Sequence, residues 1–247
     1  MKHLSIQRYG ASVLLGAAIL AGGSAYAQIT ATNALSEQEV QGLLRMVEEE
    51  KLAGDVYQVL YERTGLRNFG NIVQSERQHQ RAVQSLLQTY RITDPTAGKR
   101  AGEFANPEFT QLYQQLVTQG ARSNVDALKV GTLIEELDIV DLNQLATQTK
   151  RADILRVFDN LNRGSRNHLR SFDASLKMQA PSSAYQPQHL TQSQYDSIVS
   201  SAPERGMGQG MGATTGRRGG GMGGGMGGGM NHGTGCRATQ GTCPMNY

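Results

Sequence analysis

From Ser36 to about Met178, apolar residues recur at spacings of three and four and alternating β-branched runs are absent, which predicts helices throughout. Four long segments stand out. The first is opened by Ser36 with Glu39 three residues on, a capping-box pattern, and stops at Gly65. The second runs from about Asn68 to Tyr90 and ends before Asp94-Pro95. After a loop containing Gly98 and Gly102, Asn106-Pro107 opens a short helix to about Gln119, with Pro at an early helical position. Gly120 is expected to break that helix, and Ser123 with Asp126 three residues on starts the third long segment, which reaches about Gln148. The fourth covers about Arg151 to Met178. This order predicts an all-α protein, an antiparallel four-helix bundle over residues 28–180 with a short inserted helix.

Composition changes at both ends. Met1 to Ala27 has a basic start (Lys2, Arg8), an apolar stretch from Ala11 to Gly23 and the small-x-small site Ala25-Tyr26-Ala27, the layout of a secretory signal peptide. The apolar stretch is too short for a comfortable span of about 20 residues, so no stable membrane anchor is expected. Cleavage near Ala27 would release a periplasmic or secreted protein. After Pro181 the chain turns polar, but Leu190 and Tyr195 flank the candidate cap Thr191 at hydrophobic-staple spacing. Residues 181–205 are therefore expected to pack back on the bundle. More than half of the 30 glycines fall between Gly206 and Gly235, interleaved with Met207, Met211, Met222, Met226 and Met230. So glycine-rich a segment cannot repay its ordering entropy, and 206–247 is read as a disordered Gly/Met-rich tail. The chain's two cysteines, Cys236 and Cys243, lie in that tail; they could pair in an oxidising compartment, and their spacing matches no zinc pattern.

Charge excludes one class of partner. Of 24 basic residues two lie in the leader, and 21 acidic residues nearly balance the rest, so no nucleic-acid partner is expected. More informative are the polar residues that interrupt the inward stripes. The first helix shows Leu43, Val47, Glu50, Gly54, Tyr57, Tyr61, and the second Ile72, Glu76, His79, Val83, Leu86. The third shows Leu128, Gly131, Glu135, Asp138, Leu142, Leu145, and the fourth Ile154, Phe158, Leu161, Ser165, His168, Phe172. Each helix thus turns at least one ligating group inward, about midway along its length. An isolated buried carboxylate must protonate or find a partner, and a divalent metal pair compensates all of them at once. Glu-x-x-His places both side chains on one helical face, and the mixed oxygen and nitrogen set suits iron or manganese, with zinc admitted.

Di-metal bundles take one Glu from each of two helices and Glu-x-x-His from each of the other two. Glu50, Glu76 with His79, Glu135 and His168 supply five of these six groups; Ser165 stands where the sixth belongs, and Asp138, one turn from Glu135, is its candidate replacement. Other polar residues receive plainer expectations. Glu48, Glu49 and Glu136 fall off the stripes and read as solvated, and Tyr57 reads as core. Lys150, Arg151, Arg163, Arg166 and Arg170 read as helix-end and surface charge. Ser165, His168 and Asp173 lie on one helix without an elbow or oxyanion donors, so no hydrolytic triad is assigned.

Glu50-x-x-Ala53-x-x-x-Tyr57 followed by Ser75-Glu76-Arg77-Gln78-His79 resembles the first helix pair of the ferritin-like superfamily. Glu48-Glu49-Glu50-Lys51-Leu52-Ala53, Asn106-Pro107-Glu108, Asp126-Ala127-Leu128-Lys129-Val130-Gly131, Ile134-Glu135-Glu136 and the run Arg163-Gly164-Ser165-Arg166-Asn167-His168-Leu169-Arg170 are similar to a narrower group. That group is a bacterial and archaeal ferritin-like family known as a domain of unknown function, family 2202, and the likeness covers about Leu35 to Arg205. It implies a four-helix bundle and di-iron or related metal binding. The expected function is that of an exported metal-binding protein with oxidase, ferroxidase or peroxidase-type redox activity. Two non-enzymatic readings stand beside it: a metal buffer for iron or copper, aided by the methionine tail with His232, Cys236 and Cys243, and a metal-free interaction module. Metal ions are the expected partners, and a homo-dimer is compatible with the sequence.

Overall fold

In the computed structural model the described residues are 34–182 and 185–205, which form six α-helices and no strand. These are α1 (Glu37–Thr64), α2 (Arg67–Thr89), α3 (Pro107–Gly120), α4 (Asn124–Ala146), α5 (Ala152–Gln179) and α6 (Gln192–Ser200). The segment to Ala27 that reads as a leader, the methionine-rich segment and both cysteines lie outside the described residues.

Local chemistry sets the helix ends. Ser36 accepts from the Glu39 N–H while Glu39 reaches back to the Ser36 N–H, and Thr191 and Gln194 repeat this capping box at α6. Such caps are worth about 1 kcal/mol each. Gly65 ends α1 in the left-handed region at φ 66°, where a side chain would be strained. Gly120, expected to break α3, is instead its last residue.

The helix pairs are those of a bundle: α1 with α2, α4 with α5, α1 with α4, and α2 with α5. Cross-helix neighbours set the directions. Tyr61 lies over Gly70 and Gly54 faces Glu76, so α1 and α2 are antiparallel. Asn143 with Asn162 and Gly131 with Phe172 give the same result for α4 and α5. Arg45 bonds Asp141 while Tyr57 bonds Glu135, so α4 also runs against α1 and therefore along α2. A connection from the end of α2 to the start of α4 must then traverse the bundle's length. The segment containing α3 does so, packing on α1 and α4.

Two apolar clusters fill the interior. One gathers Tyr57, Leu60, Phe69, Ile72, Leu128 and Phe172, and the other Leu43, Met46, Val83, Leu87, Phe158 and Leu161. Each such fully buried side chain contributes about 2 kcal/mol of transfer free energy. Between the clusters, at residues 48–51, 76–79, 135–138 and 162–168, the buried side chains are mainly polar. The stripes pointed inward as expected except at Tyr61, which is 41% exposed because it lies across Gly70 at the bundle's end.

Five of the plainer expectations are corrected. Glu48, Glu49 and Glu136 are not solvated but buried. Successive residues of a helix point about 100° apart, so Glu48, Glu49 and Glu50 face three different neighbours. Glu48 accepts from the backbone N–H groups of Ala105 and Asn106 at the start of α3, Glu49 accepts from Arg45, and Glu50 faces the bundle axis. Glu136 accepts from the N–H groups of Gln188, His189 and Leu190 at 2.9, 2.9 and 3.0 Å. Nor are Arg166 and Arg170 simple surface charge, since both bind Glu204. Leu190 and Tyr195 pack with Ile139 and Leu169 on the outside of α4 and α5.

Candidate metal centre

Four helices bring Glu50, Glu76, His79, Glu135 and His168 together as two overlapping triads. Glu50, Glu76 and His79 offer ligand atoms within 4.8 Å of one another, and so do Glu76, Glu135 and His168. Glu76, fully buried, belongs to both. Its Oε2 lies 2.9 Å from His79 Nδ1 and its Oε1 2.8 Å from His168 Nδ1. Glu50 Oε2 is 3.3 Å from the same His79 nitrogen, and Glu135 Oε1 is 3.4 Å from that of His168. The two rings stack at 5.7 Å, and their outer Nε2 atoms lie 3.5 and 3.1 Å from the Ser75 hydroxyl. One serine thus sits behind both imidazoles, where a ligand histidine's outer nitrogen usually finds a partner. Tyr57 donates to Glu135 Oε1 at 2.6 Å, so this core residue also orients a candidate ligand.

Much of the carboxylate capacity is unused. Both oxygens of Glu50, Oε1 of Glu76, Oε2 of Glu135, Oδ2 of Asp138 and Nδ1 of His168 are buried without a hydrogen-bond partner. His168 Nδ1 and Glu76 Oε1 are close but not aligned as a hydrogen bond. Unpaired carboxylate oxygens beside two imidazoles, clustered around a shared carboxylate, are a donor set that a first-row divalent cation fits once it displaces the imidazole protons.

The electrostatics of the interior follow from this crowding. Burial, reinforced by the neighbouring Glu76, pushes the Glu50 carboxyl up to about 8 against the pull of His79. Burial disfavours a charged His168, yet Glu76 and Glu135 outweigh it and raise the imidazole to about 10. His79 is raised for the same reason by Glu50 and Glu76. Burial also opposes ionisation of Glu76, but His168 and His79 together hold it below the ordinary carboxylate range. Imidazolium protons thus supply the positive charge that the buried carboxylates require.

Asp138 belongs to neither triad. It stands on α4 between the Tyr57–Glu135 and Arg45–Asp141 contacts, and burial followed by the charge of Glu50 lifts its carboxyl well above the ordinary value. Ser165 is fully buried, and its hydroxyl donates to the Leu161 carbonyl.

Residues 39–202 match the family described as "Uncharacterized protein domain (DUF2202)". The chain belongs to this family. Over 175 residues it is 47% identical to the uncharacterized protein MJ0754 of Methanocaldococcus jannaschii, covering 71% of this chain and 94% of that protein. The crystal structure of hypothetical protein MJ0754 from Methanococcus jannaschii is similar with a TM-score of 0.67 at 46% identity, covering 70% of this chain and 98% of that one.

Two contributors in this DUF2202 domain escaped the periodicity argument. Ser75 lies off the apolar stripe and offers no ligand atom of the usual kind. Gly164 does leave a trace, because glycine inside a helix costs about 1 kcal/mol relative to alanine and calls for a packing reason. That reason is His79: a Cβ on Gly164 would lie 2.4 Å from its Cε1 and 2.5 Å from its Nε2. The absent side chain is what lets the imidazole lie against α5.

Proposed function

We propose that this protein is an exported ferritin-like metalloprotein holding two adjacent first-row transition-metal ions, iron in the first place. Its activity in this reading is a redox reaction of the oxidase, ferroxidase or peroxidase type. The observation that carries the reading is the pair of Glu/His triads sharing Glu76, with buried oxygens that no protein donor satisfies. The topology agrees with it: two antiparallel helix pairs joined by one long crossover are the ferritin-like arrangement. Glu50 and His79 would hold one ion, Glu135 and His168 the other, and Glu76, which belongs to both triads, would contribute to each. Asp138, beside Glu50, would complete the first site in place of the carboxylate missing at Ser165. Bound iron would supply the redox electrons and an open coordination position. The chain's own part is to orient: Tyr57 fixes Glu135, Ser75 backs both imidazoles, and the apolar clusters above and below limit water. Export rests on the leader to Ala27, and amino-terminal sequencing of the mature protein should read from near Gln28.

Elemental analysis of protein purified from its native compartment, followed by Fe(II) and O2 with absorbance detection, tests the metal centre. About two irons per chain with a new visible band supports the reading. Absence of bound metal, with no thermal shift on metal addition, overturns it in favour of the metal-free interaction module. That second reading has one observation behind it, the 2.9 Å hydrogen bond by which His79 already satisfies Glu76 Oε2. A third reading, soft-metal capture by the methionine tail, predicts that truncation after Arg205 lowers Cu(I) affinity.

A further inference from the structure

The run Arg163 to Arg170 has two working faces. Toward the bundle axis, Gly164 receives the His79 ring and His168 joins Glu76 and Glu135. On the far side of the same two turns, Arg166, Asn167 and Arg170 grip the end of the strap formed by residues 185–205. Arg166 donates to both Glu204 oxygens, from Nε at 2.7 Å and Nη2 at 2.5 Å, and Arg170 Nη2 adds a third bond at 2.8 Å. Asn167 exchanges two bonds with the Glu204 backbone, and Arg170 Nε caps the Ile198 carbonyl.

The α4 helix divides in the same way. Glu135 points to the triad, while its neighbour Glu136 collects three successive strap N–H groups at Gln188, His189 and Leu190. The strap therefore holds α4 one residue from Glu135 and holds α5 on both sides of His168. These are the two members of the second triad besides Glu76. Among the described residues no comparable strap contact reaches Glu50 or His79: the strap's hydrogen bonds there go to α4 and α5.

We propose that residues 185–205 are a positioning clasp for the second triad, setting the register and separation of Glu135 and His168 through Glu136 and Glu204. This inference rests on the metal-centre reading. Its physical basis is that ligand geometry must be held to a fraction of an ångström, and that bonds behind a ligand tune metal affinity by one to two orders of magnitude. Charge-assisted bonds to Glu204, and three backbone N–H groups converging on one oxygen of Glu136, are rigid enough to do this.

The test is anaerobic Fe(II) titration by calorimetry on the full chain. Glu204 is partly exposed, so Glu204→Gln leaves the core intact; Glu136→Gln is the second variant. The binding event missing from His168→Ala identifies the second triad. In both clasp variants that event is expected to weaken on the order of ten-fold, with the other event unchanged. Unchanged affinity at both sites, or an equal loss at both, overturns the clasp, because a merely stabilising strap would not discriminate between triads. A wild-type chain that takes up no Fe(II) overturns the metal-centre reading, and the clasp with it.

Discussion

Glu135 and Glu136 are adjacent on α4 and both fully buried, yet they solve the cost of burial in opposite ways. Glu136 turns outward, and its Oε2 accepts three backbone N–H groups that the strap brings to it. Each keeps one oxygen without a hydrogen-bond partner, but Glu135 turns inward, where the Glu76 carboxylate and the His168 imidazole crowd it and its one donor among the described residues is the Tyr57 hydroxyl. Glu48 and Glu50 repeat the contrast on α1: one takes two backbone N–H groups, while the other has both oxygens unpaired. A buried carboxylate whose charge is met by fixed dipoles is part of the scaffold. One left with free lone pairs beside others of its kind needs a mobile positive charge. Burial alone therefore separates nothing here; the identity of the donor does.

The comparison breaks first at Glu76. Since it belongs to both triads, Glu76→Gln should lower metal affinity at both sites by more than about 100-fold, exceeding the loss expected from any outer-sphere change. Metal stoichiometry after dialysis measures it. Glu136→Ala should act on the other side of the contrast. It strands three N–H groups, so urea unfolding of the metal-free protein should show a loss of about 3 kcal/mol. Gly164→Ala should fall between the two regions in kind and below both in size. Its Cβ displaces His79, so affinity should drop about ten-fold at the first triad with little change in metal-free stability, read by the same titration.

Acid gives the smallest effect and sharpens the contrast from outside. Hydrogen bonds from Arg166 and then Arg170 hold the Glu204 carboxyl at about 2, below its ordinary 4.5, against the effect of burial. Its contribution is therefore complete above pH 4.5 and is lost as the pH falls toward 2. NMR signals of Gln192–Ser200 should shift across that window while those of the core residues Phe69 and Phe172 stay in place.

Periodicity and capping made the helices legible, because the three-and-four spacing of apolar residues is a one-dimensional record of which face is buried. The same record exposed Glu50, Glu76, His79, Glu135 and His168, since an ionisable group on an apolar stripe is conspicuous. It could not separate Asp138 from the triads, because a stripe states which face a residue is on but not how its reach compares with its neighbours'. It misjudged Glu48, Glu49 and Glu136 for a related reason. Off-stripe residues are solvated only if nothing covers that face, and the covering segments come from residues 105–106, α4 and the strap, far away in sequence.

What the chain determined by itself is local: helix starts at Ser36, Asn106, Ser123 and Thr191, the stop at Gly65, and which groups turn toward the axis. These depend on backbone hydrogen bonding and on spacing along one helix. Tertiary structure alone decided that Glu76 is shared, that Gly164 makes room for His79, and that Glu204 is clasped by the helix carrying His168. Each depends on a distance between separate helices, which packing sets and no interval in the sequence encodes.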